Sequence, residues 1–247
     1  MHRFFVNKDQ IFDNEIKIEG TDVKHIRSVL RLKLNDKIEI SCNDYDYLCE
    51  ISDINKDHII VEILEKDKGN SESSVDITLY QGLSKGNKME LIFQKGTEIG
   101  IKEFVPVATH RSVVKINDIK KEQNKVERWN TIVEEAAKQS KRNLIPHVKN
   151  IINFNEMIDV LRNQENIIVP YEDEKALTIK EGLLGLSSRK INIVIGPEGG
   201  FESEEIQKLR DIGAKIVTLG PRILRTETAG IVTSTIVLYE VGNIGVI

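Results

Sequence analysis

Gly196-Pro-Glu-Gly-Gly-Phe201 and, shortly after it, Leu219-Gly-Pro-Arg-Ile-Leu-Arg-Thr-Glu-Thr-Ala229 form the stretch on which the reading of this chain turns. Each follows a short apolar run rich in β-branched residues, Ile191–Ile195 before the first and Lys215–Leu219 before the second. Each then leads into a helix-like segment. Two Gly/Pro-rich loops at the ends of neighbouring strands are how an α/β protein holds a small molecule. Glycine lets the backbone come close to a ligand and offer its N–H and C=O groups. The second loop adds Arg222, Arg225, Thr226 and Thr228, a dense polar set for a strand-to-helix turn. Two tight turns are the plain alternative; two loops this close and this polar read as a site.

The common nucleotide loops do not fit. No Gly-x-x-x-x-Gly-Lys-Ser/Thr string occurs, and glycines at 196, 199 and 200 do not make Gly-x-Gly-x-x-Gly. The first loop carries no lysine to grip phosphates, and Glu198 would repel them. A ligand without a polyphosphate suits the loops better.

Ile195 to Phe201 together with Leu219 to Ala229 closely resembles the signature of the RsmE family of ribosomal RNA methyltransferases, SPOUT-class enzymes that use S-adenosylmethionine. The resemblance continues in Gln94-Lys-Gly-Thr-Glu-Ile-Gly100, Thr109-His-Arg-Ser112, Arg128-Trp129 and Ala136-Ala-Lys-Gln-Ser-Lys-Arg142. It reaches the N-terminus in Arg3-Phe-Phe5 and His25-Ile-Arg-Ser-Val-Leu-Arg31, and so spans nearly the whole chain. One departure is Glu202, where the family usually has serine; it bears on the cap of the following helix. The resemblance implies an α/β, SPOUT-type trefoil-knotted methyltransferase domain with a small N-terminal PUA-like β-barrel. It also implies methyl transfer to N3 of a uridine in 16S ribosomal RNA, a homodimer paired across the site, and action on small-subunit RNA or the assembled 30S subunit in the cytoplasm.

Composition agrees with a soluble enzyme. The chain has 247 residues, 40% apolar and 30% charged, which is globular rather than disordered. Its net charge of −4 will not draw the whole molecule to nucleic acid, so an RNA site must be a local patch. Cys42 and Cys49 have neither a second pair nor a histidine array near them, so they read as reduced thiols and no metal is expected. No export signal is visible at Met1-His-Arg-Phe-Phe. The apolar tail Ala229–Ile247 is interrupted by Thr233, Ser234, Thr235, Glu240 and Asn243, which argues for a buried helix, packed at a subunit interface, rather than a membrane span.

The polar run Glu65–Ser74 has linker composition and divides the chain; the resemblance implies a PUA-like RNA-binding barrel over 1–68 and the cofactor-binding methyltransferase domain over 75–247. Before it, alternating runs at Lys37–Ser41, Tyr47–Ile51 and Ile59–Leu64 predict strands. Asp22–Leu30 predicts a helix with Val23, Ile26 and Leu30 inward and a basic stripe, Lys24, Arg27 and Arg31, outward. After it, strands at Val75–Gln81, Glu103–Val107, Asn166–Pro170, Ile191–Ile195 and Lys215–Leu219 alternate with helices. Those helices are Lys88–Ile99, Gln123–Ser140, Phe154–Arg162, Ser203–Ile212 and Thr226–Tyr239. Such alternation implies a mostly parallel sheet under helices. Ordinary chain topology excludes knots; the trefoil rests on the resemblance alone.

In the resemblance, Ile195, Gly196, Pro197, Glu198, Gly199, Gly200, Leu219, Gly220, Ile223, Leu224, Arg225, Thr226, Thr228 and Ala229 hold the cofactor. Arg225 and Arg222 are candidates to stabilise the uracil as its N3 proton leaves; ion pairing with Glu227 or Glu198 is their other reading. Glu98 and Glu227 are general-base candidates by type. Arg3, Lys24, Arg27, Arg31, Arg111, Lys138, Gln139 and Arg142 are the RNA-binding candidates, with Lys115 in reserve.

Overall fold

The computed structural model describes residues 1–112, 119–186 and 188–245. The chain forms two units, Met1–Glu72 with Ala137–Leu144, and Ser73–Ala136 with Ile145–Ile247.

In the first unit, period-two alternation builds the strands. They are β1 (Arg3–Phe5), β2 (Ile11–Phe12) and β3 (Glu15–Glu19), then, after a single turn α1 (Thr21–Lys24), β4 (Lys37–Cys42), β5 (Tyr45–Ile54) and β6 (His58–Lys68). They make one mixed sheet in the order β1-β4-β5-β6-β3-β2, with β1 parallel to β4 and the other neighbours antiparallel. Ile16, Ile18, Ile38, Ile40, Cys49, Ile51, Ile59 and Val61 share one core with Phe4, Val23 and Ile26. Burial pushes the Cys49 thiol up to about 12, so it is inert at neutral pH.

Two expectations change here. Asp22–Leu30 is not a regular α-helix: α1 passes into a π-helical stretch, His25–Leu30, ended by Arg31 in the left-handed region at φ 55°. Its i→i+5 bonding breaks the i, i+3, i+7 spacing that put Lys24, Arg27 and Arg31 on one stripe. Val23 and Ile26 stay buried, whereas Val29 is exposed. The predicted linker also begins as strand, because Leu48 pairs with Glu65 and Tyr45 with Lys68. Those residues are polar because this end of β6 is exposed, not because it is unstructured.

The second unit contains β7 (Asp76–Gly82), α2 (Lys88–Ile99), β8 (Glu103–Ala108), α3 (Ile119–Gln139, whose last three residues count with the first unit), β9 (His147–Val148), β10 (Ile152–Asn153) and α4 (Phe154–Leu161). It continues with β11 (Ile167–Pro170), α5 (Ile179–Gly182), β12 (Lys190–Ile195), α6 (Ser203–Asp211), β13 (Lys215–Val217) and α7 (Thr226–Val241). Among the described residues every pairing in its sheet is parallel, in the order β10-β8-β7-β12-β11-β13 with β9 beside β8. A parallel sheet is covered on both faces, and β12 shows it. Ile191, Ile193 and Ile195 enter one core with Phe93, Trp129 and Leu238, while Val194 enters another with Phe154, Ile206 and Leu209. Gly213, at φ 86°, ends α6 by donating to Arg210, while Ala214 reaches back to Leu209.

The last turn of topology positions the site. From β13 at the sheet edge the chain returns to the middle, where α7 packs on α2, β12 and β7. No helix among the described residues is long and apolar enough to cross a membrane.

Candidate active site

Because the strands are parallel, the segments leaving β7, β11, β12 and β13 emerge on one side of the sheet. Those after β11, β12 and β13 enclose a cavity of about 800 Å³. From the first glycine loop it takes Ile195, Gly196, Pro197, Glu198 and Gly200. From the second it takes Leu219, Gly220, Arg222, Ile223, Leu224, Arg225, Thr226 and Ala229. Glu172, Glu174 and Lys175, after β11, and Lys88, opening α2, complete the wall.

Thr226 ties the loops together. Its hydroxyl donates to the Gly196 carbonyl at 2.5 Å and accepts from the Gln81 amide at 2.8 Å. Glu198 is fixed from outside the loop, accepting from Lys88 Nζ at 3.0 Å and from the Lys85 N–H at 3.1 Å. Burial pushes its carboxyl up, but the bonds from Lys88 and from the backbone N–H groups of Glu198 and Lys85, with the Lys88 charge, outweigh this and hold it below the ordinary range. Lys88 also lies 4.0 Å from Glu227. Both carboxylates proposed as partners for Arg222 and Arg225 therefore face Lys88. The two arginines are exposed at the rim with no ion pair among the described residues.

Three site residues fall elsewhere. Glu98 does not line the cavity; it pairs with Lys95 at 2.8 Å on the face of α2. Gly199 faces outward, its carbonyl accepting from Arg111 at 3.1 Å. Thr228 is exposed one turn into α7, off the cavity wall.

The RNA candidates divide by burial. Arg3, Arg142 and Lys138 are not free cations. Arg3 is buried between Asp46 and Glu39 and donates to the Arg142 carbonyl. Arg142 is buried against Glu72, and Lys138 pairs with Asp22 at 3.0 Å. A buried, paired arginine braces its own unit, since leaving water without a partner is costly. Lys24, Arg27, Arg31 and Gln139 are exposed, Arg27 reaching the Lys56 carbonyl at 3.0 Å. Arg111 is exposed but engaged by Gly199 and, at 3.6 Å, by Glu202. Lys115 lies outside the described residues. Glu202, the departure from the family serine, leaves the capping of α6 to Glu205, which accepts the Glu202 N–H at 3.0 Å. The Glu202 carboxylate turns instead to His110 at 2.9 Å.

The reading from sequence missed Gln81, Lys88 and the run Tyr171–Glu174. The last had a usable signal: an acidic stretch after Pro170, at the same end of a parallel sheet as the glycine loops.

The fold is that of a class that comparison identifies. A family model described as RNA methyltransferase domain matches residues 71–238, and one described as RNA methyltransferase PUA domain matches 18–64. A Bacillus subtilis (strain 168) protein named ribosomal RNA small subunit methyltransferase E is 35% identical, over 97% of this chain and 97% of its own. Another of that name, from Aquifex aeolicus (strain VF5), is 34% identical over 93% and 95%. The crystal structure of a ribosomal RNA small subunit methyltransferase E from Neisseria gonorrhoeae, bound to S-adenosyl methionine, superposes with a TM-score of 0.87 at 29% identity, covering 98% and 99%. This chain belongs to the ribosomal RNA small subunit methyltransferase E family of RNA methyltransferases.

Proposed function

We propose that this protein methylates small-subunit ribosomal RNA, transferring the methyl group of S-adenosylmethionine to N3 of a uridine in the 16S molecule. The observation that carries the reading is the cavity between two loops tied by Thr226, in a chain of this family. Ile195, Leu219, Ile223, Leu224 and Ala229 give apolar walls suited to an adenosine, and Gly196, Gly200 and Gly220 leave backbone groups within reach. Glu172, Glu174 and Glu198 favour a cationic ligand and repel a polyphosphate. The cofactor-bound relative supports the same ligand. When bound, S-adenosylmethionine supplies an electrophilic methyl group.

The chain's own residues then have two tasks. The loops orient the reactants, which in well-aligned systems is worth roughly 7–11 kcal/mol. Arg225, at the cap of α7, and Arg222 offer planar cations for the negative charge that a uracil gains on losing its N3 proton. Residues 1–68, with the exposed Lys24, Arg27 and Arg31, serve as the RNA-binding domain and 75–247 as the methyltransferase domain. The working form is a homodimer in the cytoplasm. Half-buried Ile231, Val232 and Ile236 and exposed Tyr239 on α7 offer an apolar face for the second copy.

The test is methylation with labelled cofactor on small-subunit ribosomal RNA, naked and assembled, followed by mapping of the modified base. Label at uridine N3 is expected. Label elsewhere, or none on either substrate, rejects the reading.

A further inference from the structure

Gln81, near the end of β7, is fully enclosed and does not line the cavity. Its amide nitrogen donates to Thr226 Oγ1 at 2.8 Å and reaches the Gly82 carbonyl at 3.3 Å. A hydroxyl has one proton to give. Because Gln81 supplies a donor to the Thr226 oxygen, that proton goes to the Gly196 carbonyl, at 2.5 Å. Turning the amide over would set its oxygen against the Gly82 carbonyl and draw the Thr226 proton away from Gly196. The amide oxygen itself has no hydrogen-bond partner and points to Gly230, where a Cβ would come within 3.0 Å of it. Glycine is unfavourable inside a helix. Here the absence of a side chain on α7 is what admits the amide.

We propose that Gln81 is a positioning residue for the cofactor site: acting through Thr226, it sets the spacing of the two pocket loops, and Gly230 makes room for it. The inference rests on the reading of the cavity as the S-adenosylmethionine site. The link joins β7, the loop after β12 and the start of α7, so it holds the loops before any ligand arrives. Loops fixed in advance lose less freedom on binding.

The test is a double-mutant cycle on the full-length protein, read by calorimetry with S-adenosylmethionine and by hydrogen exchange of the Gly199–Phe201 amides without it. Thermal melting checks each fold, and Q81M stands in if Q81L does not fold. Q81L and T226V should each weaken binding about tenfold and speed loop exchange. In the T226V background Q81L should cost less than twofold, because the two act as one unit. G230A should behave like Q81L although it alters no residue of the cavity wall. A full tenfold loss from Q81L in both backgrounds, or loop exchange unchanged in Q81L, overturns the proposal. Failure of the unaltered protein to bind S-adenosylmethionine overturns instead the reading of the cavity, and the exchange cycle still decides the link.

Discussion

Arg111 donates from Nη1 to the Gly199 carbonyl at 3.1 Å, so a guanidinium braces the outer side of the first glycine loop while the inner side lines the cavity. Glu202 gathers the same region, lying 2.9 Å from His110 and 3.6 Å from Arg111. Arg111→Ala should weaken S-adenosylmethionine binding about fivefold, the worth of one exposed hydrogen bond of about 1 kcal/mol. The salt dependence of RNA binding should not change. A flattened salt slope with normal cofactor affinity would return Arg111 to the phosphate-binding set.

Gly200 sits at φ 69°, and a Cβ there would lie 2.6 Å from Glu172 Oε1. Gly200→Ala meets left-handed strain of roughly 1–2 kcal/mol and pushes the carboxylate off the loop. Lower thermal stability and weaker cofactor binding are expected. Adding Glu172→Ala should restore part of the stability but not the binding. Full recovery of both would show that the carboxylate only occupies space.

Arg225 is exposed at the rim, so Arg225→Ala should leave melting unchanged. It should lower turnover by roughly 100-fold, as loss of a transition-state donor does, with cofactor affinity kept within a few-fold. Arg225→Lys should recover little, because an ammonium lacks the planar fork. Single-turnover rates on ribosomal RNA read the effect, and turnover within a few-fold of normal rejects the role.

Replacing Lys24, Arg27 and Arg31 together by alanine should leave the first unit folded, since all three are exposed. Each lost phosphate contact should flatten the log–log salt slope by roughly 0.7. Arg142→Ala should do the opposite, costing about 1–3 kcal/mol of stability by stripping a buried partner from Glu72. An unchanged slope in the triple variant would make that surface an ordinary solvated face.

Glu198 carries a folded-state pKa below the ordinary 4.5. The stability it contributes is therefore full above that value and is lost as pH falls through the lower folded value. Glu198→Gln should remove this part of the acid sensitivity, seen as a shallower fall of melting temperature with pH. Identical acid profiles for the two proteins would contradict it.

The helix α2 was legible to the residue because Met89, Ile92, Phe93 and Gly96 keep a helical period and Gly100 stops it. The glycine loops were legible because backbone-exposing residues follow β-branched runs. The π-helical turn was not, since Val23 and Ile26 fit an α-helix equally well and i→i+5 bonding leaves no mark in their spacing. Arg3 and Arg142 read as surface cations because their carboxylates, Asp46 and Glu72, are far away in sequence. For the same reason Gln81 and Lys88 were invisible: only the parallel sheet brings them to the loops. Glu98 was misplaced because a carboxylate on an amphipathic helix looks alike on either side.

The first unit has a consequence for the order of synthesis. Met1–Glu72 leaves the ribosome first, yet the unit is completed by Ala137–Leu144, which brings Arg142 to Glu72 and Asn143 to Asp46 and Ser71. Domains generally fold as units, the N-terminal one first, but this one must wait until the segment through Leu144 has emerged. A nascent chain halted after Glu72 therefore has every strand of its sheet, yet buried Arg3 and Ser41 lack the Arg142 and Asn143 carbonyls that accept from them, and a fragment ending there is a poor choice for isolating this unit.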